Sequence, residues 1–316
     1  MRMMQVDEFG GPEVFRMVTA PDLVAGPGHV VIDVVVAGVL SVDAMIRRGE
    51  GGDYFTVRPP YVPGAGVAGQ VRSVGDGVAG EWVGRRVLAA LGGGGYASQV
   101  TATESALIPV PDGLGLDTAV ALLHDGATAL GVLERTPVRR GDTVLIQPAA
   151  GGLGTLLVQL AHRAGAYVIG AARGAHKLEL ITELGADLAV DYSEPGWLDR
   201  LPELDVVFDG VGAQLGRAAF SRVVVGGRYS NYGRAGGSPI AIPPAEARAR
   251  GVSTIGMEQL ADLAAELHPR AAGLLHEAAA GRLRPIISRT YPLEQAARAH
   301  AAIEAREVLG KSLLVP

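Results

Sequence analysis

The segment VLIQPAAGGLGTLLVQLAHRAGAYVIGAARGAHK, residues 144–177, joins an apolar run to a turn of small residues, a helix-spaced run and a second apolar run. Backbone N–H groups at the start of a helix bind phosphate, and bulky side chains there would block the approach. Ala149, Ala150, Gly151, Gly152 and Gly154 are all small. Gly151 and Gly154 have the spacing of the second and third glycines of a dinucleotide fingerprint. Gly151 would let the backbone approach a pyrophosphate, and Gly154 would let the helix pack on the sheet. An acid for the ribose diol is expected about 20 residues after the first glycine. That place holds Ala171, Ala172 and Arg173, with Lys177 following. A carboxylate there would repel a 2′-phosphate, whereas these cations attract it, so the pattern favours NADPH over NADH.

The elements that must carry this turn follow from the apolar rhythm. Strands are expected at Thr143–Gln147, Tyr167–Ala171, Leu188–Val190, Asp205–Asp209, Gly227–Tyr232 and Ser253–Gly256. Helices are expected at Thr118–Glu134, Leu153–Ala164, His176–Leu184 and Leu215–Ser221, with one long helical stretch over Glu258–Ala280. Strands alternating with helices mean a parallel, doubly wound sheet. Residues 1–118 read differently. Val30–Val36, Gly66–Val74 and Arg86–Ala90 are strand-like and punctuated by glycine, the pattern of a small, partly closed barrel. The tail from Leu283 to Pro316 gives strand, helix, strand and can return to the first domain. The expected class is α/β, with a barrel-like domain at 1–118 completed by 281–316 and a nucleotide-binding domain at 119–280.

Composition narrows the chemistry. The chain has 316 residues, 45 of them glycine, and its net charge of −5 comes without any basic run, so nothing points to nucleic acid. There is no cysteine, which removes disulfides and thiolate zinc sites. The seven histidines are scattered, none in an HExxH arrangement, and no metal site is expected. No apolar run reaches the ~18 residues of a membrane span, and the N-terminus lacks a signal-peptide core. A soluble, cytoplasmic protein is expected.

Several stretches together resemble the zinc-independent quinone oxidoreductases, the zeta-crystallin-like branch of the medium-chain dehydrogenase/reductase superfamily. They are YVPGAGVAGQVRSVGDGV (61–78), GGYASQV (94–100), HDGATAL (124–130), VLIQPAAGGLG (144–154), LGADLAVDYSE (184–194), VVFDGVG (206–212), GGRYSNYG (226–233) and EVLGKSLLVP (307–316). The resemblance implies a GroES-like β-barrel domain beside a Rossmann domain, with NADPH in the cleft between them, hydride transfer, and a homodimer. By position, Thr128 resembles the threonine near the nicotinamide. Ala150, Gly151, Gly152, Leu153 and Gly154 resemble the pyrophosphate turn, and Lys177 and Tyr192 the residues that grip the 2′-phosphate. Asn231, Tyr232 and Lys311 resemble further cofactor contacts. The absence of cysteine agrees with the zinc-free branch.

Two departures stand out. Pro148 occupies the small first position of AxxGxxG; it lacks an N–H, but that position shapes the turn, so binding should survive. More consequential is AGVLSVDAMIRRG (37–49), where relatives read G-[VI]-N-P-x-D. The asparagine of that pattern lies near the nicotinamide and substrate. Here Leu40 and Ser41 replace the Asn-Pro pair, while Asp43 is retained, and an apolar Leu40 cannot hydrogen-bond a substrate oxygen. Leu40, Asp43 and Tyr54 are candidate substrate contacts. Tyr54, Ser41 and His124 are the candidate donors to a developing oxyanion. The expected activity is NADPH-dependent reduction of a quinone or an α,β-unsaturated carbonyl. The alternatives are other tailoring chemistry on a polycyclic quinone-like substrate and a non-enzymatic NADPH-binding protein. The partners are thus a small quinone or enone and a second copy of the chain, with neither nucleic acid nor membrane.

Overall fold

The computed structural model describes residues 1–52 and 55–316. Two compact units divide the chain: residues 1–124 with 271–316, and residues 125–270.

The first unit begins with the antiparallel pair β1 (Arg2–Val6) and β2 (Phe15–Thr19). Its spine is β3 (His29–Val39), followed directly by α1 (Ser41–Arg47). Then come β4 (Gly66–Val74), β5 (Arg86–Ala90), β6 (Gln99–Thr103) and β7 (Leu107–Pro109). The β-branched run of β3 meets β4 along one side and, on the other, β6 through residues 29–33. Val30, Ile32, Val67, Val71, Val87 and Tyr96 form its core. α2 (Leu116–Arg135) begins in this unit and ends in the next.

The second unit holds β8 (Thr143–Gln147), α3 (Gly152–Arg163), β9 (Tyr167–Ala172), α4 (Ala175–Glu183), β10 (Leu188–Asp191) and β11 (Leu204–Asp209). It continues with α5 (Ala213–Ser221), β12 (Val223–Asn231), α6 (Pro244–Ala249), β13 (Ser253–Ile255) and α7 (Gln259–Ala265). The strand order is β10-β9-β8-β11-β12-β13, and every pairing is parallel. This is the doubly wound Rossmann order, and its direction reverses between β8 and β11. β8, β9 and β11 are buried on both faces, which is why they read as apolar runs.

The long helical stretch of 258–280 divides into α7 and α8 (Leu267–Ala279). Pro269 explains the break: it has no N–H to donate to the Ala265 carbonyl, and its ring would strike that carbonyl. The chain then re-enters the first unit. β14 (Ile287–Pro292), α9 (Ala296–Glu304) and β15 (Lys311–Val315) follow, with β15 inserted between β14 and β3.

The sequence has no unbroken apolar span, yet α2 is long and apolar enough to cross a bilayer by length and composition. Over half of its most apolar window (56%) lies inside the protein, and Ala119, Leu122, Leu123 and Val132 are fully buried, as in a core helix.

Candidate active site

At the carboxyl end of β8 the Gln147–Pro148 peptide is cis, and the chain turns into α3. The Ala149 N–H donates to the Ala171 carbonyl at 2.9 Å, which ties the turn to β9. Gly151 caps α3 in an extended conformation. By helix geometry, the N–H groups of Gly152, Leu153 and Gly154 have no carbonyl one turn back, so they form an anion cradle. The two glycines with fingerprint spacing differ in kind. A Cβ at Gly154 would lie 2.1 Å from the Pro148 carbonyl oxygen, so no side chain fits. A Cβ at Gly151 would have the Pro148 oxygen, at 3.7 Å, as its nearest neighbour. The protein leaves the space before Gly151 open, which suits the approach of a phosphate.

Arg173, Lys177 and Tyr192 gather at the carboxyl ends of β9 and β10. Arg173 is exposed and follows β9 directly. Gly174, with φ of 90°, turns the chain into α4. The Tyr192 N–H donates to the Ala172 carbonyl at 3.1 Å. An acid does stand here, on the neighbouring strand. Asp191 accepts hydrogen bonds from the Gly174 N–H (2.8 Å), the Ser193 N–H (2.8 Å) and the Ser193 hydroxyl (2.5 Å). Partial burial pushes its carboxyl up, but the Ser193 and Gly174 hydrogen bonds outweigh this and hold it below the usual range. Asp191 therefore organises the loop that carries the cations. The signal for it was the acid at the end of LAVD, the strand next to the one searched.

The reversal point between β8 and β11 is organised by Asp209, which is fully buried. Its Oδ1 accepts from Gln147 Nε2 (3.0 Å) and from the Val211 and Gly212 N–H groups (both 2.9 Å). Its Oδ2 accepts from the Tyr229 hydroxyl (2.6 Å) and Asn231 Nδ2 (3.2 Å). One carboxylate thus fixes the ends of β8, β11 and β12. Asn231, expected as a cofactor contact, spends its amide on Asp209 and on the Gly233 carbonyl and is 3% exposed. Its Nδ2 is thus engaged within the frame of the site. The Tyr232 hydroxyl lies 3.3 Å from the Gln147 carbonyl. Thr128 is half-buried on α2.

In the first unit, Leu40 is the N-cap of α1 and Ser41 its exposed first residue. Leucine has no side-chain acceptor for a cap. Half of a capping box survives: Asp43 Oδ2 accepts the Leu40 N–H at 2.9 Å, while the Asp43 N–H donates to the Leu40 carbonyl at 3.1 Å. Asp43 is 5% exposed, and its Oδ2 also accepts from the Tyr96 hydroxyl at 3.1 Å. Burial raises its pKa to about 6, against hydrogen bonds from the Leu40 N–H, Tyr96 and the Gly64 N–H and the charge of Lys311. An inward carboxylate so engaged anchors the turn, in place of the substrate contact expected from the sequence. Lys311 is buried. His124 was a candidate donor, but its Nε2 sits 3.0 Å from the Ala65 carbonyl, so its N–H holds that loop. Tyr54 lies outside the described residues.

Residues 26–112 match the alcohol dehydrogenase GroES-like domain model, and residues 184–314 match a model described as zinc-binding dehydrogenase. The residues present do not suit zinc: the chain has no cysteine, and no group of three or more metal-ligating side chains occurs among the described residues. The chain is 31% identical to a quinone oxidoreductase of Rattus norvegicus over 327 residues, covering 100% of this chain and 98% of the relative. It is 30% identical to a 2-haloacrylate reductase of a Burkholderia species, covering 97% and 96% of the two chains. A mycobacterial protein solved in complex with NADPH superposes with a TM-score of 0.90 at 33% identity, with 100% of both chains covered. With the GroES-like and Rossmann units in place and this identity sustained from end to end, the chain belongs to the quinone oxidoreductase, or zeta-crystallin-like, family of the medium-chain dehydrogenase/reductase superfamily.

Proposed function

We propose that this enzyme uses NADPH to reduce a quinone or an α,β-unsaturated carbonyl by hydride transfer, without a metal. The observation that carries this reading is the pairing of an open glycine cradle at the head of α3 with Arg173 and Lys177 beyond β9, while the nearby Asp191 carboxylate is turned to its own loop. The two NADPH-relevant groups, pyrophosphate and 2′-phosphate, are both anions, and each meets matching donors.

The nicotinamide, when bound, supplies the hydride. The chain's residues do the rest. Gly152, Leu153 and Gly154 direct N–H groups at the pyrophosphate. Arg173 and Lys177 hold the 2′-phosphate, with Tyr192 beside them. Thr128, Tyr232 and Lys311 are proposed to complete the cofactor contacts. Leu40 offers an apolar wall where relatives carry an amide, which favours bulky aromatic acceptors. The Ser41 hydroxyl, exposed at the first position of α1, is proposed to donate to a substrate oxygen, with Tyr54 as its companion. We also assign the protein to the cytoplasm as a homodimer. β13 is an edge strand with Ser253 and Thr254 exposed, a surface that can pair across a two-fold axis.

The test is NADPH oxidation across a panel of quinones and enones, with product mass. Addition of two hydrogens to an intact skeleton is the expected result. A product with an altered skeleton, or no turnover of any acceptor, would overturn the reading.

A further inference from the structure

We propose that His300, Tyr96 and Asp43 form a buried hydrogen-bond relay that positions the Leu40–Ser41 turn for turnover, and that the charge on Asp43 switches this positioning. The proposal rests on the reductase reading only for what the turn faces. The relay itself is geometric and lies wholly within the first unit. The Tyr96 hydroxyl is 3.0 Å from His300 Nε2 and 3.1 Å from Asp43 Oδ2, and Asp43 Oδ2 is 2.9 Å from the Leu40 nitrogen. Tyr96 and His300 are both 0% exposed.

The chemistry of the groups fixes the direction. A carboxylate only accepts, so Tyr96 donates to Asp43 and must accept from an Nε2–H of His300. Burial, with Arg47 and Arg48 nearby, lowers the His300 pKa to about 3, so the ring is neutral and carries its proton on Nε2. His300 Nδ1 then holds a lone pair with no partner among the described residues. Phe15 packs edge-on against the imidazole at 4.9 Å between centroids, fixing the ring. Gly64 makes room for Tyr96: a Cβ there would lie 2.5 Å from the Tyr96 ring. The His300 bond strengthens the Tyr96 donation to Asp43, and that donation favours the charged carboxylate that accepts the Leu40 N–H, so α9 supports the cap of α1 by keeping Asp43 charged.

Protonating Asp43 reverses the middle of this chain. The acid becomes a donor, Tyr96 loses its acceptor, and the Leu40 N–H loses an anionic partner. Other groups face this carboxyl too. Lys311 from β15 favours its charge. Tyr61, from the loop before β4, adds a hydroxyl that has no partner among the described residues. Arg47, fully buried on α1 itself, is paired with Glu304 of α9. Of Asp43, Tyr61, Tyr96 and His300, Asp43 titrates nearest neutrality.

The experiment measures kcat/KM for quinone reduction against pH at saturating NADPH, together with the NADPH Kd by fluorescence, in wild type and three variants. The wild type should lose about tenfold per pH unit on the acid side of the Asp43 titration. Asp43→Asn should be slower at neutral pH and lack this limb. Tyr96→Phe removes a donor that favours the charge, so the limb should move to higher pH, and His300→Leu should move it the same way by less. NADPH Kd should be the same in all four proteins. A limb that survives Asp43→Asn, or that stays fixed in Tyr96→Phe, overturns the relay. A second readout does not depend on turnover. Amide-exchange protection of Leu40, corrected for intrinsic rates, should fall about tenfold or more between neutral pH and pH about 5 in wild type, and not in Asp43→Asn. If NADPH binds but no acceptor is reduced, the reductase reading fails, and the exchange data alone decide the relay.

Discussion

Each unit of this enzyme buries one carboxylate behind its candidate site, and the two are served very differently. Asp209 receives hydrogen bonds from two backbone N–H groups, an amide of Gln147, an amide of Asn231 and the Tyr229 hydroxyl. Asp43 receives the backbone N–H groups of Leu40 and Gly64 and the Tyr96 hydroxyl. At Asp43 burial raises the pKa to about 6, more than its three donors and Lys311 offset. The well-served carboxylate is a fixed frame for three strand ends. The poorly served one is poised to change its charge. A frame for three strand ends and an anchor for the α1 turn are thus built from the same side chain.

The largest test of that contrast is truncation. Asp209→Ala strips one acceptor from five buried donor groups, and should cost about 3–5 kcal/mol of stability. Asp43→Ala should cost less. Denaturant midpoints of both variants measure this, and equal losses would mean that donor count does not distinguish the sites.

The pH dependence of stability sharpens it. The Asp43 pKa is about 6 folded against 3.8 for the free side chain, so the folded state binds the proton more tightly. Stability contributed by this group should therefore be highest below about pH 4 and fall as pH rises toward 6. The full difference, at 1.36 kcal/mol per unit, is at most about 3 kcal/mol. Asp43→Asn should flatten this slope between wild type and variant in urea titrations taken across that window. Parallel slopes would show that Asp43 does not titrate there.

The cofactor platform makes a smaller prediction. Removing Arg173 or Lys177 should weaken NADPH by about 1.5 kcal/mol each, the low end for a charge-assisted contact because Arg173 is exposed and faces Asp191. NADH binding should not change. Fluorescence titration of both cofactors checks this, and a matched loss for NADH would assign the two cations to folding.

How much of this was legible in sequence divides along the same line. The Rossmann unit was readable because its site is made of backbone: glycine spacing and buried strand runs are local patterns, and Gly151, Gly154 and the strands of 143–209 stand close to where spacing puts them. Asp209 sits inside a motif that was noticed, yet its role depends on groups at 147, 211, 212, 229 and 231 that only the sheet brings together. The first unit hid more. Asp43, Tyr96 and His300 are separated by 53 and 204 residues along the chain, a juxtaposition that no window reveals. His124 and Asn231 show the same limit: the sequence displays a polar side chain's chemistry, but not the partners, Ala65 for His124 Nε2 and Asp209 for Asn231 Nδ2, that the fold brings to it.

The smallest predicted effect returns to Leu40. An N-cap without an acceptor forgoes about 0.5–1 kcal/mol. Leu40→Asn should recover this in thermal stability and also raise kcat/KM for small polar quinones relative to bulky ones. A stability gain with an unchanged substrate ratio would make Leu40 a helix-cap defect only.

The place of β15 bears on how the protein is made. This strand lies between β14 and β3, with Leu313 and Leu314 fully buried, so an inner strand of the first unit is made only after the whole second unit. Residues 125–270 emerge complete while the β3 edge that will receive β15 is still bare. During synthesis the nucleotide-binding unit can close first, and the N-terminal sheet must wait with an open seam, at translation rates of about 5–20 residues per second. A chain cut before β15 would leave that seam unfilled, so the first unit depends on a strand made after the second.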